Sequence, residues 1–339
     1  MSNRRSVLLA LAALATMGGA SFSLAATARA ADFTLRLNHT LPAAHLRNRH
    51  AELFKQYVDK ASNGTVDVQI FPAGQLYKND QDAIKAVRSG AIEGAMVTPG
   101  DLSLFDPAFS IFELPFFATS YEQIDALETS DVGRQILYGL EKVGLKGLAY
   151  TDAGSAVVMN NKRPFKQLSD LSGLRIRASA GALQVKGFEL LGASAIQLPF
   201  GEVAPSLQRG MIDGVYTTAS AAASGKLGQQ AKYVTWTKQQ FFNPAIVVNL
   251  DWWNGLPQET RDAIMAGMPG FMKEASQMNQ EDETKSIESL KAAGAEVIDL
   301  PDDAKAEIKK KLQPLLDEYR GKIGGEIFDA AAKIVDSVQ

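Results

Sequence analysis

Two arginines one residue apart, Arg175 and Arg177, are the side chains of this 339-residue chain best suited to specific chemistry. They close the run Gly173 to Arg177, whose apolar and polar residues alternate as in a strand. A planar guanidinium presents a fork of donors that matches a carboxylate two-to-two, so either arginine can hold an organic anion. In a cleft with little water such a pair dominates recognition, because either charge left alone is costly. Residues two apart on a strand share a face, so alternation cannot choose between them. A structural salt bridge from Arg177 to Glu202 or Asp213 accounts for the same pattern.

Other chemistry has less to build on. His39, His45 and His50 invite a metal, but no cysteine or carboxylate stands among them at zinc-like spacing. His50 falls on the apolar stripe of a helix and His45 at its start, so no metal site and no cofactor are expected. Asn38 or His39, at the end of a strand, can donate to a ligand. The chain has no cysteine, which excludes thiol nucleophiles and any disulfide framework. It carries no G-x-S-x-G elbow, no Walker loop and no G-x-G-x-x-G after the first strand. Glu281-Asp282-Glu283 and Asp302-Asp303 read as solvated helix faces.

The N-terminus begins Met1-Ser2-Asn3-Arg4-Arg5, continues through an Ala/Leu-rich stretch, and reaches Ala28-Arg29-Ala30. A positive start, an apolar middle and a small-x-small ending predict a signal peptide over residues 1–30, cut after Ala30. The paired arginines also fit a twin-arginine export signal. Without residues 1–30 the acids exceed Lys and Arg by 6. That balance gives no basic field for nucleic acid. No later run is apolar enough to span a bilayer, and a periplasmic monomer is expected.

The elements that would carry Arg177 form an α/β pattern. Strands are expected at 33–39, 65–71 and 95–98, with helices at 46–61 and 82–88 between them. That order argues for an open, largely parallel sheet. A helix is expected from 121 to about 143, a strand at 148–150, and a strand delivering Arg177. Helix 183–191, strand 195–198 and helix 202–209 follow. Strand 245–248 precedes a helical region from Pro257 to about Ala293, with a break at Met268-Pro269-Gly270, and a last helix starts after Pro301. The expected organisation is a two-lobe α/β fold with a cleft: residues 31–150 form lobe I and 151–242 lobe II. Residues 243–339 return into lobe I as a long helix and C-terminal helices contacting both lobes.

Seven short motifs occur in a fixed order: Asn38-His39-Thr40, Phe71 to Leu76, Ala86 to Ala91, Phe112 to Phe117, Gly173 to Arg177, Leu198 to Val203, and Leu207 to Gly214. Together they resemble the solute-binding proteins of tripartite ATP-independent periplasmic (TRAP) transporters, of the DctP type. The resemblance covers most of the chain after residue 31. It implies a periplasmic receptor, not an enzyme, that captures an organic acid by cleft closure and delivers it to membrane permease subunits. It selects Arg177 over Arg175 as the residue that grips the carboxylate. Two departures bear on the ligand. Ala156 stands where many relatives have a second arginine, and Thr217 where many have an asparagine. Both changes remove polarity, which implies a monocarboxylate with an apolar or aromatic body. Tyr216, Phe200 and Phe242 would line its apolar part, with Thr217 and Asn38 completing the pocket. Two other readings remain open: a ligand-presenting partner of a membrane sensor, and a secreted hydrolase or isomerase.

Overall fold

The computed structural model describes residues 31–151, 154–179 and 181–338. The expected signal peptide, residues 1–30, lies outside them. Two sheets organise the chain. The first has the order β2-β1-β3-β10-β4, built from β1 (Phe33–Asn38), β2 (Val66–Phe71), β3 (Gly94–Val97), β4 (Leu145–Tyr150) and β10 (Ala245–Asn249). The second has the order β11-β9-β5-β8-β6-β7, from β5 (Ser155–Asn160), β6 (Arg175–Ala178), β7 (Ser194–Gln197), β8 (Gly214–Thr218), β9 (Tyr233–Phe241) and β11 (Glu296–Asp299). Each sheet has a parallel part, β1 with β2 and β3 in the first and β6 with β7 and β8 in the second, where β11 also runs parallel to β9. Helices between consecutive strands impose that direction. The strands that cross between sheets run antiparallel to their neighbours: β10 against β3 and β4, and β5 against β8 and β9.

The chain passes between sheets after β4, after β9 and again before β11. The stretch after residue 243 therefore serves both sheets, β10 in the first and β11 in the second. The first two crossings are hydrogen-bonded to each other. Thr151 donates its N–H and its hydroxyl to the Pro244 carbonyl, and the Phe242 N–H donates to the Gly154 carbonyl.

Local sequence explains the elements closest to the cleft. Helix α1 (Leu46–Ser62) starts at His45, whose ring nitrogen accepts from the Arg47 N–H, and stops at Asn63 in the left-handed conformation. Helix α2 (Asp80–Arg88) is capped by the Asn79 side chain and opens with Asp80 and Asp82, where acids suit the helix N-terminus. In α1, Leu46, His50, Leu53, Phe54 and Val58 are buried, as their spacing predicts.

Two expectations fail. The expected helix 121–143 is two helices, Tyr121–Thr129 and Asp131–Gly139, followed by a short 3-10 turn. Ser130 divides them: its backbone is extended, and its hydroxyl caps the second helix at Gly133 while donating to the Leu127 carbonyl. The break expected at 268–270 is absent, and one 35-residue helix runs from Gln258 to Ala292 with Pro269 inside it. Pro269 removes one backbone donor, but the same turn is held by packing. Ile264, Met268 and Phe271 are buried against α1, with Phe54 and Tyr57 edge-on to Phe271 at 5.8 and 5.9 Å. Gly267 and Gly270 let the Tyr57 ring lie against the helix backbone.

Gly214 shows how little room the second sheet leaves. It sits in β8 between β5 and β6, and a Cβ there would overlap the Met159 carbonyl oxygen and reach Ile176 at 2.8 Å. Neither backbone nor a fully buried isoleucine can give way. Gly214→Ala should therefore cost about 3 kcal/mol, read as a lowered urea midpoint with an unchanged denaturant slope.

Candidate ligand site

Strands β1, β2, β3, β6, β7 and β8 bring the segments at their C-terminal ends to one cavity of about 380 Å³. This is where open α/β sheets bind ligands. The first sheet supplies Thr40, His45 and Arg47 after β1, Asp80 after β2, and Thr98 and Asp101 after β3. The second supplies Arg177 and Ser179 from β6, Gln197 to Phe200 from β7, and Thr217, Thr218 and Ala221 from β8. Phe242, at the second crossing, closes the wall.

Arg177 is 4 % exposed, and its Nε donates to the Leu198 carbonyl at 2.9 Å. Neither terminal nitrogen makes a hydrogen bond to another described residue, so the carboxylate-shaped end of the fork faces the cavity unused. Burial lowers its pKa to about 10, partly offset by the charges of Asp80 and Asp101, and it stays protonated at neutral pH. The salt-bridge reading of Arg177 does not hold: Asp213 pairs instead with Arg175, accepting from its Nε at 2.9 Å and Nη2 at 2.8 Å, and with Lys162 at 3.4 Å. Those hydrogen bonds hold the Asp213 carboxyl at about 2. Arg175 is a half-exposed strut at the far end of β6, and Arg177 is the residue at the cleft.

Of the residues expected to line the pocket, Arg177, Thr217, Phe200 and Phe242 do so. Asn38 and Tyr216 do not. Neighbours on a strand point to opposite faces, so Thr217 and Tyr216 cannot both face the cavity. Tyr216 points the other way, fully buried, with its hydroxyl 2.8 Å from Gln240 Oε1. Its ring packs 5.6 Å from Phe242 and so backs the wall without joining it. Asn38 spends its amide on the loop after β2, accepting from the Leu76 and Tyr77 N–H groups and donating to the Tyr77 carbonyl. Ala156, at the slot of the missing arginine, is buried opposite Thr218 in the sheet.

Four buried titratable residues in the wall were not anticipated as part of the site. Arg47 is buried, its Nη1 lies 4.0 Å from Asp80 Oδ2, and its Nε has no partner. Its signal was present: 47, 51, 54 and 58 form a helical stripe, and a charge on a buried stripe is unusual. Asp80 accepts from the Thr40 hydroxyl at 2.9 Å and the Thr98 N–H at 3.0 Å. Asp101 accepts from the Thr98 hydroxyl at 2.9 Å. Burial, then the charge of Asp80, raises its carboxyl to about 7. His45 is kept neutral by burial and by the Arg47 charge, and its Nε2 has no partner. His39 is lowered to about 4 and His50 to about 3, chiefly by burial. Among the described residues no group of three or more His, Cys, Asp or Glu is arranged to hold a metal ion.

Behind the cavity a buried chain of polar groups links the two sheets. Ser179 donates its N–H and hydroxyl to Gln184 Oε1 at 3.0 Å, and Gln184 Nε2 donates to Glu113 Oε2 at 2.7 Å. Burial, opposed by the Gln184 hydrogen bond, raises the Glu113 carboxyl to about 8. A carboxyl with a raised folded pKa contributes its stability in full below its unfolded value and loses it as pH rises through the folded one. Stability should therefore fall between about pH 4.5 and pH 8, by at most ~1.4 kcal/mol per pH unit for this group. Glu113→Gln should flatten the pH 7 to 8 part of that slope in chemical denaturation. An unchanged slope would mean that Glu113 stays ionised.

The family model for bacterial extracellular solute-binding proteins, family 7 (DctP), matches residues 37–322. The chain is 29% identical over 325 residues to the C4-dicarboxylate-binding periplasmic protein DctP of Rhodobacter capsulatus, covering 94% of this chain and 96% of that one. It is 28% identical over 286 residues to the 2,3-diketo-L-gulonate-binding periplasmic protein YiaO of Escherichia coli, covering 84% and 86%. Its fold matches the sugar acid binding protein DctPAm of Advenella mimigardefordensis in complex with galactonate, with a TM-score of 0.86 at 22% identity over 92% of this chain and all of that one. It also matches a TRAP periplasmic solute binding protein of Desulfovibrio salexigens with bound orotic acid, with a TM-score of 0.85 at 24% identity over 90% and 99%. No described helix is long and apolar enough to cross a membrane. The chain belongs to the DctP family of bacterial extracellular solute-binding proteins, which are receptors and not enzymes.

Proposed function

We propose that this protein is the periplasmic receptor of a TRAP transporter, capturing a monocarboxylate with an apolar or aromatic body and passing it to the membrane permease subunits. The observation that carries the reading is the buried Arg177 fork, whose terminal nitrogens have no hydrogen-bond partner among the described residues, at a cavity where six strands end. In this reading residues 1–30 direct export, and the receptor acts as a monomer. Lobe I is residues 31–150, lobe II 151–242, and 243–339 complete the first lobe and brace both.

Two features favour a single anionic charge. The buried charged residues of the wall are Arg47 and Arg177 against Asp80 and Asp101, so the wall is close to neutral when both acids are ionised. A dianion would leave more uncompensated charge out of water than a monoanion. Leu41, Leu198, Pro199, Phe200, Ala221 and Phe242 give the wall an apolar part that suits the body of such an acid, beside the polar side chains of Thr40, Thr98, Gln197 and Thr218. Thr217, beside Arg177 in the wall, offers a hydroxyl to an oxygen next to the carboxylate.

The test is melting temperature against benzoate, 2-oxobutyrate, succinate, D-glucuronate, a sulfonate and a neutral sugar, for the wild type and Arg177→Ala. A bound acid at ~100 times its dissociation constant adds ~2.7 kcal/mol of stability. Arg177→Ala should cost ~3–5 kcal/mol of binding, two to four decades of affinity. Arg175→Ala should lower stability without changing affinity. If a neutral sugar shifts the wild type and Arg177→Ala equally while no acid shifts either, the reading is wrong.

A further inference from the structure

The first sheet places two acids on the cavity that an anion receptor has no evident need for. Asp80 opens α2 and Asp101 follows β3, and they are 7 % and 6 % exposed. A single residue holds both. The Thr98 N–H donates to Asp80 Oδ2 at 3.0 Å, while the Thr98 hydroxyl donates to Asp101 Oδ2 at 2.9 Å. Two buried carboxylates fixed by one threonine repel each other, and the arginines answer that repulsion.

The charged and titratable groups around Asp101 come from every neighbouring element. Asp80 faces it from α2, Arg47 from α1 and Arg177 from β6 of the other sheet. Glu113, in the turn behind, feels the charge of Asp101 and is itself pushed toward its neutral form, chiefly by burial. His39 and His45 are held neutral, and Lys78 and Asp82 lie at the cavity wall as well. Arg177 is one of the cations that make an ionised Asp101 tolerable. A ligand carboxylate docking on the free end of the Arg177 fork claims that cation for itself. It also brings a new negative charge near the acid pair and displaces water. Both effects act on Asp101 in the same direction, toward its neutral form.

We propose that Asp101 takes up a proton from solvent when a carboxylate docks on Arg177, so that the receptor captures its acid as an anion together with one proton. This rests on the reading above and adds the proton to it. In the step, an O–H bond forms at Asp101 as the corresponding bond of a buffer acid breaks. The neutral Asp101 then becomes a hydrogen-bond donor in the cavity wall. Its position near neutrality in the empty site, set by burial and Asp80, leaves the carboxylate partly or fully ionised above pH 7 and ready to accept.

The consequence is a pH-dependent affinity from a ligand that does not itself titrate. Benzoate, 2-oxobutyrate, succinate and D-glucuronate are all ionised above pH 7. For whichever of them binds most tightly in the melting panel, affinity should fall up to tenfold per pH unit between pH 7.5 and 8.5. Titration calorimetry at pH 7.5 in phosphate and in Tris should give different heats, corresponding to uptake of a substantial fraction of one proton. Asp101→Asn should bind that acid with buffer-independent heat and a flat pH profile. If Asp101→Asn does not fold, Thr98→Ala serves instead: losing the hydroxyl bond to Asp101 should move the pH break upward. Buffer-independent heats for the wild type, or the wild-type pH slope in Asp101→Asn, would overturn the proposal while leaving the receptor reading intact. If no panel acid binds at any pH, or Arg177→Ala binds as the wild type does, the receptor reading fails and this inference falls with it.

Discussion

A buried guanidinium whose terminal nitrogens find no hydrogen-bond partner among the described residues is the constraint around which this molecule is arranged. Arg177 can remain charged there only if opposite charge is close. The second sheet, which carries Arg177, supplies a backbone carbonyl at Leu198 but no acid, since Asp213 is committed to Arg175 at the other end of the same strand. The compensating acids come from the first sheet, as Asp80 and Asp101. The electrostatics of the empty site therefore join two sheets that share no strand pairing.

The rest of the fold keeps that geometry from relaxing. Thr98 fixes both acids, Asn38 fixes the loop leading to α2, and His45 starts the helix that carries Arg47. Tyr216 supports Phe242 from the side away from the cavity. None of these four needs to touch a ligand to matter for binding, because each sets the position of a residue that faces the site.

Much of this was legible in the sequence, for identifiable reasons. The β-α-β order of the first lobe and the strand ending in Arg177 follow from periodicity, and the ordered motifs separated Arg177 from Arg175 where alternation could not. The errors also have physical causes. Tyr216 and Thr217 were both expected at the pocket although a strand can present only one of them there. Asn38 was placed by its position at a strand end, but its amide was needed by the loop above it. Asp80 and Asp101 were not singled out in the sequence, because only the tertiary fold buries both of them beside an arginine. Pro269 predicted a break because local propensity cannot count the aromatic packing of Phe271 on Phe54 and Tyr57.

Two of the three passages between the sheets meet where Thr151 bonds to Pro244 and Phe242 to Gly154, a joint that any relative turning of the sheets would load, and Phe242 belongs to it while also lining the cavity. One side chain thus sits in the bearing and in the binding surface. A substitution there that makes room for a bulkier cargo also alters the pivot, so selectivity and opening rate would be inherited together, and new substrates are more readily accommodated through Phe200 on the other wall.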